Sequence, residues 1–227
     1  MPNDSREKIL RRIREALSVT APARHLAHGG DQAAGHPPQD WLPDVPESPD
    51  ALVALFEKNS RDLKTDVRRC ADPAAVAAEL ATLAREEGWK SVASHHFALG
   101  DDAMRSLGLP ALLTDAPYEK AALERCDVGI SGCDVLVAQT GGIVVTSASA
   151  GGRALSVLPP HHIVIATRRQ LVGDLSDAFD AVRAAYGSIP SFLSFITGPS
   201  RTGDIERILV LGAHGPKKLT VLLLETP

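Results

Sequence analysis

Aromatic side chains make up only 4% of this 227-residue chain, so its interior must be built from Ala, Val, Leu and Ile. Cysteine is equally scarce, with Cys70, Cys126 and Cys133 the full complement. Three thiols give no disulfide framework. Cys126 and Cys133 are too far apart for a CxxC pair, so no iron–sulfur or metal signature belongs to this chain. Each cysteine is expected to be a small buried apolar residue. No apolar run approaches the ~20 residues that cross a bilayer. The charged start, MPNDSREKILRRIREAL, has no apolar secretion core, and the expected location is the cytoplasm. Neither sign of charge dominates. A net charge of −4 provides no basic surface for a polyanion, so nucleic acid is not an expected partner. Also missing are a GxGxxG turn after the first strand, a GxxxxGK[ST] loop, a GxSxG elbow and an HExxH helix.

What is present is ordinary globular composition with a clear division along the chain. Residues 4–18 form an amphipathic helix, with Ile9, Leu10, Ile13 and Leu17 at helical spacing. Such a helix docks on its own domain or on a second copy in a homo-oligomer. Residues 19–49 carry six prolines and three glycines and keep no apolar period, which reads as a linker. The boundary is placed at 1–49 for helix and linker and 50–227 for the domain. Within the domain, Leu52, Leu55, Phe56 and Leu63 mark one helix. Asp72, Pro73 and Gly88 cap and close a second, whose Glu79, Glu86 and Glu87 are expected on a solvated face. Strands are expected at 91–97, 111–114, 127–131, 142–147, 162–167, 192–197 and 219–224, with helices at 101–107 and 171–186. Near-continuous apolar strands alternating with helices imply an α/β fold, a mostly parallel sheet with helices on both faces. In such sheets ligands lie at the carboxyl ends of strands, where strand order reverses.

Three constellations are candidates for binding. Gln139-Thr140-Gly141-Gly142 precedes the strand IVVTS, and its glycine pair lets backbone N–H groups turn toward an anion. Arg153 follows Gly151 and Gly152 and can clamp a carboxylate or phosphate; His161 and His162 follow soon after, pointing to opposite faces of a strand and so unable to share a metal. The third is Gly198-Pro199-Ser200-Arg201-Thr202, with Thr202 as N-cap and Asp204 in the first turn of a short helix, and with His214-Gly215-Pro216 closing the unit. Asp204, His214 and His162 are the candidate catalytic groups. No metal site is expected.

Four segments together resemble one family. They are REKILRRIREAL at 6–17, CDVGISGCDVLVAQTGGIVV at 126–145, ALSVLPPHHIVIA at 154–166 and FITGPSRTGDIERILVLGAHGPKKLTVLLLE at 195–225. The chain resembles the LUD-domain proteins. The resemblance implies a fold of the NagB/RpiA/CoA-transferase kind and a role in bacterial use of L-lactate. It implies work beside an iron–sulfur LUD-domain protein and a cysteine-rich iron–sulfur subunit, which together oxidise lactate to pyruvate. Iron–sulfur clusters are then expected on those partners and no cofactor on this chain. The family's TG turn falls on Thr140 and Gly141. Its other motifs fall on Leu158, Pro159 and His162, on Gly198 to Ser200, Thr202, Asp204, Ile205 and Glu206, and on His214 to Pro216. One departure matters: Gln139 stands where the family usually has Glu. A neutral amide there argues against covalent acyl transfer.

Three readings of function follow. The first is a subunit of the lactate-oxidising system with a crevice for a small anion. The second is a stand-alone enzyme of the NagB/RpiA or folate cyclo-ligase kind, acting on a phosphorylated or nucleotide ligand through Arg153, Arg201, Lys217 and Lys218. The third is a binding or scaffold subunit without chemistry. The residues leave open whether the chain is an enzyme.

Overall fold

Local capping signals place the helices before any tertiary contact is counted. In the computed structural model, which describes residues 3–18, 44–202, 210–211 and 215–225, the first helix is α1 (Asn3–Ser18). The chain divides into a unit of Met1–Leu42, which holds α1, and a unit of Pro43–Pro227. Among the described residues no helix is long and apolar enough to cross a membrane.

In the larger unit, α2 (Pro49–Asp62) starts at Ser48, whose hydroxyl accepts from Ala51 N–H. Strand β1 (Asp66–Cys70) follows. The Asp72 carboxylate then caps α3 (Pro73–Glu87), and left-handed Gly88 ends it. After these come β2 (Val92–Ser94), α4 (Ala98–Leu107), β3 (Ala111–Leu113), α5 (Lys120–Glu124) and β4 (Val128–Ser131). Next are β5 (Val135–Val137), β6 (Gly142–Thr146), β7 (His161–Thr167), β8 (Leu171–Val172) and α6 (Leu175–Tyr186). The chain finishes with β9 (Leu193–Ile196), the short ribbon of β10 (Arg201–Thr202) and β11 (Val210–Leu211), and β12 (Lys218–Leu224).

Six strands form a wholly parallel sheet in the order β1-β12-β7-β4-β2-β3. The period-2 alternation of β7 and β12 divides their side chains between two cores. Ile163, Ile165, Leu222 and Leu224 pack on Val76, Leu80 and Leu83 of α3 and on Ala103 of α4. Val164, Ala166, Leu219, Val221 and Leu223 pack on Val53 and Phe56 of α2 and on Leu136, Ile143 and Val145. Those last three belong to a second sheet, β8-β5-β6-β9, whose other face is covered by Ala178 and Val182 of α6. Helices therefore cover both faces of the main sheet, as its apolar strands require, with a second sheet sharing one face. All three cysteines are buried and free. Burial raises every thiol, that of Cys70 to about 11.

The structure corrects four expectations. Leu171 and Val172 begin no helix: they pair with β5 as a strand, and the helix starts only after Asp174, whose carboxylate accepts from Asp177 N–H. Thr202 is not an N-cap, because it is paired with Val210 in an antiparallel ribbon. Strand β7 begins at His161, one residue before the expected 162. Glu87 is not on a solvated face: Lys218 and Trp89 donate to its carboxylate, and His161 touches it.

Candidate functional site

At the amino edge of the main sheet the turns singled out in the sequence meet. Gln139, Thr140 and Gly141 join β5 to β6. The Asn59 side-chain amide at the end of α2 donates to the carbonyls of Ala138 and Gln139, both at 2.9 Å. The Ser60 hydroxyl donates to the Gly141 carbonyl at 3.3 Å. A Cβ on Gly141 would lie 2.5 Å from Ser60 N, so only glycine seats this turn on α2. A Cβ on Gly142 would lie 3.4 Å from a Thr197 methyl, which places the start of the second turn alongside. Gly198 has φ +100 and abuts the Leu63 carbonyl. Ser200 N–H donates to Pro216 O, and the Arg201 guanidinium donates to Thr197 O. Gly215 lies against Ser200. Lys217 N–H bonds to Pro160 O, just before β7. Thus Thr140 to Gly142, Gly198 to Thr202 and Gly215 lie along one edge. Pro199 also walls a recess of about 270 Å³ with Lys64, Arg68, Lys217 and Lys218. Asp204 and His214 lie outside the described residues.

Two histidines begin β7 with opposite fates. His161 Nδ1 is 3.0 Å from Glu87 and its Nε2 is 2.9 Å from the Thr220 hydroxyl. Burial lowers its pKa, against the opposing pull of Glu87. A neutral ring donating from Nδ1 and accepting at Nε2 satisfies both contacts. Burial alone would raise the pKa of Glu87, but donation from Lys218, His161 and Trp89 outweighs it and holds the group below its ordinary value. His162 is completely enclosed. Its Nε2 meets the Ser131 hydroxyl at 2.9 Å and its Nδ1 has no partner among the described residues. Burial, then its neighbour His161, push it down to about 3.

The carboxyl edge carries a different set of groups. From β2 the chain crosses outward to β3, whereas from β4 it crosses inward to β7, and β2 and β4 are neighbours. Strand order therefore reverses between them, and crevices open at the carboxyl ends of strands at such a point. β2 ends at Ser94 and leads into His95 and His96; β4 ends at Ser131 and leads into Gly132. Gly132 lies 3.4 Å, at its Cβ position, from both the Phe97 ring and Ser149 O. The segment 147–152 folds over this point. Thr114 donates its hydroxyl to Gly151 O at 2.7 Å, and left-handed Gly151 lies so close to His95 that a Cβ would fall 2.5 Å from the His95 Cβ. Asp134 pins the start of the segment by accepting from Thr146 N–H, the Ser149 hydroxyl and the Tyr186 hydroxyl.

His95 is 4% exposed and stacks on Phe97 at 4.8 Å. Its Nε2 has no hydrogen-bond partner among the described residues. Burial lowers its pKa against the opposing charge of Asp115, so the ring is neutral at pH 7. An unpaired polar atom that far from water is costly unless something occupies it. His95 lines a cleft of about 440 Å³ with His96, Asp101, Arg105 and Leu113. His96 N–H is held by Asp115 at 2.6 Å, and its ring reaches Asp101 at 3.3 Å. The Arg105 guanidinium is in an exposed pair with Asp102 and donates to Asp101 O; with the neutral imidazole and the exposed one it can meet both the hydroxyl and the carboxylate of a small hydroxy acid.

Arg153 lines another cleft, with Tyr118, Lys120, Ala154, Val157 and Leu158. It shares no described neighbour with the Thr140 turn. The structure thus gathers the glycine-rich turns at the amino edge and leaves Arg153 apart from them. His95 and His96 gained no role from sequence reasoning, although a polar pair closing an apolar strand, SVASHH, is a readable signal of a strand's carboxyl end.

Comparison with known proteins accords with this architecture. A family model described as the LUD domain matches residues 53–224. The chain is similar to the lactate utilization protein C of Shouchella clausii, 34% identical over 143 residues, or 60% of this chain and 61% of that protein. It is also 34% identical over 119 residues to the lactate utilization protein C of Deinococcus radiodurans, covering 52% of this chain and 56% of that one. With that of Oceanobacillus iheyensis it is 27% identical over 190 residues, covering 78% and 82%. The match thus spans about three fifths of the length of the first two relatives. A crystal structure of a DUF162 family protein from Deinococcus radiodurans superposes with a TM-score of 0.59 at 22% identity, over 79% of this chain and 99% of that one. That likeness shows a shared fold.

Proposed function

The chain belongs to the LUD-domain family, and from that membership we propose that it is a component of a bacterial lactate-utilisation system. Its part is to bind a small carboxylate in the cleft that His95 and His96, just after β2, line with α4 and β3. The observation that carries this reading is that His95, whose buried Nε2 has no hydrogen-bond partner among the described residues, lines a cleft with α4 and β3 just beyond the carboxyl end of β2. The hydroxyl of a 2-hydroxy acid supplies the missing hydrogen bond, and Arg105 and His96 face its carboxylate. The relatives' name, lactate utilization protein C, supports L-lactate as that acid. The partners are proteins that carry iron–sulfur clusters and take the electrons of lactate oxidation, because the cysteines of this chain are buried, high-pKa thiols unsuited to cluster ligation. The glycine turns at 139–142 and 198–202 are proposed to shape the amino edge against such a partner.

The test is genetic and biochemical. In a host that grows on L-lactate and has one such system, deleting this protein should abolish that growth. The wild-type chain should restore it, and His95→Ala should restore it poorly while accumulating to wild-type levels. Unimpaired growth of the deletion strain would overturn the reading.

A further inference from the structure

Arg153 is placed outside the His95 cleft, and its own cleft has a different chemistry. Tyr118 and Val157 are 37% and 39% exposed, and both open into this one recess with Ala154 and Leu158. Exposed apolar side chains scattered singly need no explanation, but a contiguous set rimmed by charge marks a binding surface. The rim here is Lys120 and Arg153. Among the described residues Lys120 makes only an exposed pair with Glu124 at 3.3 Å, which is weak. The Arg153 guanidinium has no partner among the described residues. Its backbone is nonetheless held: the Ser156 hydroxyl donates to Arg153 O, and Thr114 donates to Gly151 O two residues earlier. The cleft is about 440 Å³, within the range of small-molecule sites.

We infer that this cleft is a second binding site, for an anion with an apolar, ring-sized body. A bare inorganic anion has no use for the apolar floor, and a neutral hydrocarbon has no use for two cations. An aromatic carboxylate or an organic phosphate with a planar ring uses both. Arg153 clamps the anionic group and Lys120 adds charge, while Tyr118, Val157 and Leu158 cover the ring. The two clefts share no lining residue among those described, and Gly151, which lies against His95, stands two residues before Arg153.

The probe is 2-naphthoate, titrated into the full chain and followed by its fluorescence, with 2-naphthalenemethanol and acetate as the neutral and ringless comparators. Saturable binding of naphthoate alone is expected. Arg153→Gln should weaken it about tenfold, and Val157→Asp should weaken it as much while leaving the melting temperature near wild type. Val157→Ser serves if Val157→Asp fails to fold. Equal binding of all three probes, or naphthoate binding untouched by both the arginine and the valine variant, would overturn the inference. L-Lactate binding measured in Arg153→Gln separates the two sites: it should be unchanged, whatever becomes of naphthoate.

Discussion

Three buried histidines show how one residue type is spent in different ways. His161 has both ring nitrogens occupied and ties α3 to β7 and β12. Among the described residues His162 makes one side-chain bond inside the sheet, and His95 keeps one nitrogen unpaired beside a cleft. Burial lowers the pKa of all three. The unfolded chain takes up a proton at an ordinary histidine pKa near 6.5, whereas folded His162 takes one only at about 3. Between those values the unfolded state binds more protons, so stability is full above pH 6.5 and falls as pH drops toward 3. Urea melts at pH 7 and pH 4 should show this loss, and His162→Asn should make the dependence shallower. An unchanged slope in that variant would show that His162 does not carry it. The opposite facing of His161 and His162 was legible from strand alternation alone. The role of His95 was not, because its burial depends on the segment 147–152 folding back from more than fifty residues away.

Elements whose signals are local were readable, and those made by tertiary pairing were not. Asp72, Pro73 and Gly88 announced α3, and the apolar runs announced β7 and β12. In contrast, β1 reads DVRRC and is polar because its edge position exposes it, while β5 is only three residues long. Leu171 and Val172 carry a helical period but pair with β5, and the segment after Gly198 holds capping residues but enters a ribbon. The turns that seat the second sheet on α2 depend on glycine. Gly198→Ala combines φ +100 with a Cβ 2.4 Å from Leu63 O, so a loss of about 1–3 kcal/mol is expected in urea unfolding. Gly187→Ala has φ +71 with nothing within 4 Å and should cost less. Equal losses would mean that contact with Leu63 contributes nothing and that backbone conformation alone matters.

For the molecule as a whole, the parallel sheet sets the division of labour. Its amino edge carries hydrogen-bonded networks, His161, Glu87, Lys218 and Thr220 in one and glycine turns braced by Asn59 and Ser60 in the other, beside a recess of about 270 Å³. Beyond the carboxyl end of β2, His95 lines one cleft with an Nε2 that has no hydrogen-bond partner among the described residues, and Arg153 lines another. A parallel sheet was foreseeable from its strands; which residues gather at each of its edges required the topology. The most direct test follows the imidazole signals of the full chain by NMR during titration with L-lactate. His95 signals should shift saturably, while those of His161 and His162 stay in place. Saturation without any response at His95, or no saturable response at all, would contradict the assignment of this cleft.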